Sequence, residues 1–189
     1  LLASEARLRP SISVTTRPPR AGEVDGVHYH FVSATSFMQA EQAGELLESA
    51  RVLQGRHAYG TPRRPVEEAL AAGDDVIFDI DWQGHRALCR ELPHDVVGVF
   101  ILPPNLAALE SRLRNRAGDN EAEITRRMQV AHDEISHWAD FAYVVVNDDL
   151  QEAITAVRAI LHSARSATVR QTGLGEFVAT LAETQPGHP

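Results

Sequence analysis

The sequence predicts an α/β fold: a parallel sheet with helices on both faces, carrying a small insert of different character. Three observations predict it. The short apolar runs "DVIFDID", "VVGVFIL" and "AYVVV" have the composition of strands buried on both faces. Stretches with helical periodicity lie between and after them, the alternation of a helix-covered parallel sheet. Between Val27 and Tyr59 the pattern changes to short strands of alternating polarity, the mark of a half-solvated antiparallel unit.

The elements follow in order. The opening "LLASEARLRP" has no Met, and Leu1, Leu2 and Leu8 are placed like the later turns of a helix, so the chain is expected to be a fragment. "SISVTT" alternates as a strand, "GEVDG" is a turn cluster, and "VHYHFVS" alternates again. Thr35 and Ser36 are expected to cap a short helix running to about Gly44. "ELLESARVL" and "HAYG" read as strands joined by a turn at Gly55. Pro65 to Gly73 reads as helix, with proline at its start and glycine at its end. Asp75–Asp81 is expected as a buried parallel strand. Further helices are expected over Leu106–Arg116, Glu121–Trp138 and Leu150–Ala164, the second capped by Asn120 with Glu123. One domain is expected over residues 1–164, with the insert at about 14–62 and a lid at about 112–127. A polar tail, 165–189, is expected to hold one short helix at "EFVATL".

Composition narrows the function. Apolar residues make up 43% of the 189, enough for a packed core. A net charge of −8 argues against a general nucleic-acid surface or a polybasic membrane patch, so local basic clusters read as sites. No run approaches a membrane span, and no signal-peptide pattern is present. The single cysteine, Cys89, reads as core; it suits a reducing compartment, and a cytoplasmic location is expected.

Four groups of residues have chemical potential. Arg17 and Arg20 flank Pro18-Pro19, which restricts the backbone between two planar forks suited to phosphate or carboxylate oxygens. Tyr29 and Tyr59 add hydroxyls; the plainer alternative is a solvated loop whose arginines pair with Glu23 and Asp25. Asp79 and Asp81 end an apolar strand, where α/β folds place ligands and where phosphate-transfer enzymes hold magnesium. Arg112 and Arg116 are one helical turn apart, and with Arg127 they bracket the polar "AGDN"; they fit a closing lid over phosphates, or surface pairing with Glu110, Glu121 and Glu123. Glu48 is a lone acid in an apolar strand. His28 and His30 share a strand face, but no further ligand cluster has metal spacing.

Taken in order, these pieces resemble guanylate kinases. The resemblance is carried by "SVTTRPPRAGEVDGVHYHFVS", "GELLE", "YGTPRRPVEEALAAGDDVIFDIDWQG", "FILPPNLAALESRLRNR", "EITRRM" and "YVVVNDDL". It implies a P-loop-kinase-like core with a GMP-binding insert and a helical lid, and magnesium-dependent transfer of phosphate from ATP to GMP. It implies that Arg17, Arg20, Tyr29 and Tyr59 hold the GMP phosphate and that Ser13, Glu48, Thr61 and Asp81 read guanine. Asp79 would stand near the magnesium, Arg112, Arg116 and Arg127 around the transferring phosphoryl group, and Asn147 near adenine. The chain departs from the pattern in the loop before Tyr59, about two residues longer than usual, at Ser49, and at "NRAGDN", which lacks a Gly-Thr. No GxxxxGK[ST] occurs. The resemblance implies such a loop about twenty residues before "SVTTR" together with a central strand, so truncation and negligible activity of these residues alone are expected. The competing reading is a non-catalytic module of the same fold that binds phosphorylated partners; Ser13, Glu48 and Asp81 speak against it, since phosphate binding alone needs no guanine-reading groups. A related kinase for another acceptor is disfavoured by Glu48 with Ser13.

Overall fold

The computed structural model of the chain describes residues 1–52, 57–115 and 121–183. In chain order its elements are β1 (Leu8–Pro10), β2 (Val14–Thr15), β3 (His30–Phe31), α1 (Ala34–Gln42), β4 (Leu46–Val52), β5 (His57–Pro62), α2 (Arg63–Ala71), β6 (Asp75–Ile77), α3 (Trp82–Glu91), β7 (Val99–Leu102), α4 (Leu106–Arg114), α5 (Glu121–Ser136), β8 (Tyr143–Val146), α6 (Leu150–Ser166) and α7 (Leu174–Glu183). A single-turn 3-10 segment, His137–Asp140, follows α5.

The fold is α/β, with a parallel core and a mixed insert. In the core, β1 pairs with β6 and β7 with β8, both parallel. Among the described residues no ladder joins β6 to β7, so the core is two parallel pairs rather than one continuous sheet. The expected burial on both faces is accordingly incomplete. Ile101, Tyr143, Val144 and Val146 are exposed, Val146 by 54%. A strand edge without a partner leaves backbone N–H and C=O groups to water, and a sheet face without a covering layer leaves its side chains exposed.

Several expected elements differ. Leu8 is in a strand, not a helix: Asp75 N–H donates to the Arg7 carbonyl at 2.8 Å, and β6 then takes residues 8–10 as its partner. The run Asp75–Asp81 is paired only over its first three residues, because β1 offers three; Ser11 N–H to the Ile77 carbonyl, 2.9 Å, is the last rung. Beyond Ile77 the chain turns into α3, and Asp81 becomes its N-cap. The cap of α1 is Ser33, whose Oγ accepts from Ser36 N–H, two residues before the expected Thr35. Helix α2 starts two residues ahead of Pro65, which sits in the first turn where an N–H has no helical partner. Gly73, at φ 77°, ends that helix in the left-handed region. The turn at Gly55 and the Asn120 cap lie outside the described residues.

The insert is a four-stranded sheet of order β3-β2-β5-β4, in which only β2 and β3 run parallel. It joins the core through a cluster of Leu47, Val66 and Leu88, packed by Val76, Phe78, Ile80, Leu92 and Val96. Far from the insert, Glu5 is 6% exposed and accepts from Arg158 Nε at 2.8 Å and Arg165 Nη1 at 2.8 Å, with His162 Nε2 at 2.9 Å. Arg165 Nε also donates to Asp75 Oδ2 at 2.7 Å. These bonds tie the N-terminal turn to α6 and β6, and they hold the Glu5 carboxyl down at about 2.

Candidate functional site

The ladder of the insert lines up the candidate residues. Thr15 stands opposite Tyr59, and Glu48 opposite Thr61, so each pair shares a face. Tyr59 and Thr61 are two apart on β5 and point the same way, about 7 Å from each other along the strand. A bulge between Leu46 and Glu48 makes two consecutive side chains of β4 buried. Leu47 enters the core cluster, while Glu48 turns towards Thr61.

At one end of this row lies a buried acid. Glu48 is 6% exposed, and Thr61 Oγ1 donates to its Oε1 at 2.7 Å. Burial pushes the Glu48 carboxyl up, and the nearby charge of Asp81 pushes the same way. The first turn of α3 covers it: a Cβ on Gly84 would lie 3.1 Å from Glu48 Oε2 and 3.2 Å from Ile80 Cβ. Glycine here lets the helix approach the carboxylate. The Gly84 N–H is taken by Asp81 Oδ1 at 2.9 Å, so one Asp81 oxygen caps the helix. Ser13 is half-buried, and its carbonyl accepts from His30 N–H at 2.9 Å.

At the other end lies the arginine pair. Arg17 is 8% exposed, and its guanidinium carbon stands 5.3 Å from the Tyr29 ring centre and 5.7 Å from that of Phe31. Its Nε donates to the Tyr59 hydroxyl at 3.2 Å, and Nη1 to the Pro18 carbonyl at 2.7 Å. Glu23 takes the fork: Nη1 to Oε2 and Nη2 to Oε1, each 2.8 Å. Arg20 N–H donates to the same Oε2 at 2.6 Å, while the Arg20 side chain is exposed. Glu23 holds the Arg17 guanidinium firmly protonated against the opposing effect of burial. In return Arg17, with the Arg20 N–H, lowers Glu23 to about 2. Burial, then the Tyr59 and Asp79 charges, raise the Tyr29 phenol. The pairing with Glu23 that the sequence offered as the plainer alternative is therefore present for Arg17; Asp25 instead accepts from Phe31 N–H at 2.8 Å.

The remaining candidates are more scattered. Asp79 is exposed just past β6. Arg112 is exposed in the last turn of α4, its Nη2 3.4 Å from the Asp148 carbonyl. Arg127 is half-buried on α5 and has an interaction of its own. Arg116 lies outside the described residues. Glu110 and Glu121 pair with Arg114, not with Arg112. Asn147 continues β8, its N–H donating to the Leu102 carbonyl at 2.7 Å. Among the described residues no group of three or more His, Cys, Asp or Glu side chains is placed to hold a metal.

Sequence reading missed three things. Glu23 was seen only as a charge partner, although the spacing "RPPRAGE" puts an acid three residues beyond the second arginine. Gly84 carried a signal, a glycine inside the first turn of a helix. The joint between α3 and the end of α5 carried none: Trp82 stacks on His137 at 3.6 Å, Arg86 lies over Trp82 at 4.8 Å, and Arg86 Nη2 meets Asp140 Oδ2 at 2.7 Å.

An α/β core whose mixed insert sets a buried carboxylate and a guanidinium fork on one sheet has the design of a nucleoside monophosphate kinase. A family model described as guanylate kinase matches residues 2–164. The guanylate kinase of Gluconobacter oxydans (strain 621H) is 57% identical over 182 residues, covering 96% of this chain and 86% of that protein. That of Rhodospirillum rubrum is 51% identical over 178 residues, covering 94% and 81%. The crystal structure of guanylate kinase from Anaplasma phagocytophilum matches with a TM-score of 0.81 at 33% identity, covering 95% of this chain and 87% of that one. The chain belongs to the guanylate kinase family.

Proposed function

We propose that this chain binds GMP in its insert and acts in magnesium-dependent phosphoryl transfer from ATP to GMP, giving ADP and GDP in cytoplasmic purine nucleotide metabolism. The observation that carries this reading is the buried Glu48–Thr61 pair on the same sheet as the Arg17–Tyr59 contact. Guanine presents N1–H and its 2-amine as adjacent donors, and an ionised carboxylate only accepts. Glu48 takes both, with Thr61, Ser13 and Asp81 around it. Arg17, Arg20, Tyr29 and Tyr59 hold the monophosphate. A module that binds only a phosphorylated partner has use for the arginines but not for a desolvated carboxylate beside them.

In this reading one GMP phosphate oxygen attacks the γ-phosphorus of ATP; the new P–O bond forms as the β–γ bridge breaks, and the electron pair leaves with ADP. Little covalent help is needed, and positioning with charge neutralisation does most of the work. Arg112, Arg116 and Arg127 neutralise the transferring group, and Asn147 lies near adenine. Asp79, exposed just past β6, is the carboxylate that would hold magnesium through water. Magnesium in such sites takes one or two carboxylates plus substrate phosphates, and when bound it offsets phosphate charge. Among the described residues no helix is long and apolar enough to cross a membrane.

The 189 residues contain no GxxxxGK[ST]. Such a loop supplies a backbone N–H cradle, a lysine and a hydroxyl to the phosphates and magnesium. Negligible turnover is therefore proposed for these residues by themselves, with turnover gained when a loop-bearing segment precedes them. A coupled ATP/GMP assay on both forms tests this. GDP formation by the extended form with GMP but not AMP supports it. No transfer, or equal use of AMP, sinks the reading, and robust turnover by the 189 residues overturns the inactivity half.

A further inference from the structure

Glu23 touches both halves of the candidate phosphate grip. We propose that it is a positioning residue for the GMP phosphate, fixing the Arg17 fork and the Arg20 backbone in one arrangement before the ligand arrives. The inference rests on the reading of the insert as a GMP site. Its basis is a donor count. A guanidinium has five N–H groups. In Arg17 one goes to the Tyr59 hydroxyl, one to the Pro18 carbonyl and two to Glu23, which leaves one on Nη2 for a phosphate oxygen. Because the Tyr59 oxygen accepts from Arg17 Nε, its own O–H is left to donate. The same carboxylate oxygen that binds Arg17 Nη1 also holds Arg20 N–H at 2.6 Å, across the rigid Pro18-Pro19.

Two effects of Glu23 oppose each other. Its negative charge repels an incoming phosphate, while its bonds order the Arg17 side chain and the Arg20 backbone and compensate a buried cation. The bidentate geometry decides for ordering. The Glu23 charge is already matched at 2.8 Å by a guanidinium that is 8% exposed. Without Glu23, Arg17 would be a buried cation short of two bonds, and it would turn to find others. Preorganised groups bind more tightly because less ordering remains to be done on binding. A competitor role, in which phosphate must displace Glu23, predicts the reverse sign.

The experiment is calorimetry of GMP and guanosine on the 189-residue chain and on Glu23→Gln, Glu23→Ala, Arg17→Ala and the Arg17→Ala/Glu23→Ala double variant. The Glu23 variants are expected to weaken GMP by about tenfold and to leave guanosine within about twofold. The double variant is expected to lose less than the two single losses combined, because the part of the Glu23 effect that acts through Arg17 is already gone in Arg17→Ala and only its hold on the Arg20 backbone is left. Unchanged or tighter GMP binding in the Glu23 variants overturns the inference, as does an equal loss for guanosine or full additivity in the double variant. If Arg17→Ala itself spares GMP, the GMP reading fails; if Arg17→Ala weakens GMP and the Glu23 variants do not, only the role of Glu23 fails.

Discussion

Replacing Glu48 by Gln changes one oxygen to an amide nitrogen in a site that is 6% exposed. Thr61 Oγ1 occupies Oε1 at 2.7 Å, so the Gln carbonyl keeps that donor best by taking the Oε1 position. The NH2 then stands where Oε2 was, under the first turn of α3, with a Gly84 Cβ position 3.1 Å away. In the proposed GMP site it would face a donor of the base. The variant loses one charge-assisted hydrogen bond, roughly 1.5–3 kcal/mol, and leaves two desolvated donors opposed, roughly 1–3 kcal/mol more. The sum, about 2.5–6 kcal/mol, corresponds to roughly 10²–10⁴-fold weaker GMP binding. IMP lacks the 2-amine and has one donor fewer to offend, so its loss is expected to be smaller. Calorimetry with both nucleotides on the parent and Glu48→Gln measures this. Equal losses for GMP and IMP, or a change within about threefold for GMP, would refute the placement of guanine against Glu48.

Three further outcomes are expected. Gly84→Ala adds a methyl 3.1 Å from Glu48 Oε2 and is expected to weaken GMP about as much as it weakens guanosine, because it disturbs the base end only; a loss confined to GMP contradicts this. Glu48 must be ionised to accept from guanine, and its carboxyl titrates above the ordinary 4.5, so GMP affinity is expected to fall with acidification at a higher pH than an exposed carboxylate would give; a binding curve flat from neutral pH down to 4.5 removes that role. Glu5 ordinarily titrates near 4.5 and is held at about 2 in the fold, so its contribution to stability is complete above 4.5 and is lost as pH falls towards 2. Glu5→Gln is expected to lower Tm at neutral pH and to flatten the slope of Tm across that window, with Glu23 leaving a residual slope because it shares the window; an unchanged slope means that the Glu5 cluster is energetically idle.

Much of this was legible in the chain because the signals were local. The strand HAYG alternates in burial, the run ELLESARV carries apolar residues over a strand's length, and the two pair as β5 and β4. Local too was the alternative of a loop arginine pairing with Glu23, which Arg17 does. What stayed hidden was non-local. Periodicity gave no hint that Leu8 would be drawn into a strand by Asp75, 67 positions away, or that the core strands would stand as two pairs with exposed apolar faces. Asp79 and Asp81 read as the end of one apolar strand, but pairing stops at Ile77 and Asp81 is turned to cap α3. Likewise the sequence shows Glu23 near two arginines, and only the fold shows both oxygens engaged.

The central claim is that the insert and the first turn of α3 together form the GMP site. Hydrogen exchange of the 189-residue chain with and without GMP tests it directly. Slowed exchange is predicted for the amides of Thr15, Thr16, Arg17 and Arg20, around Glu48, at Thr61 and at Gly84, with AMP giving no such protection. Protection confined to β7, β8 or α6, or the same pattern with AMP as with GMP, would contradict the account.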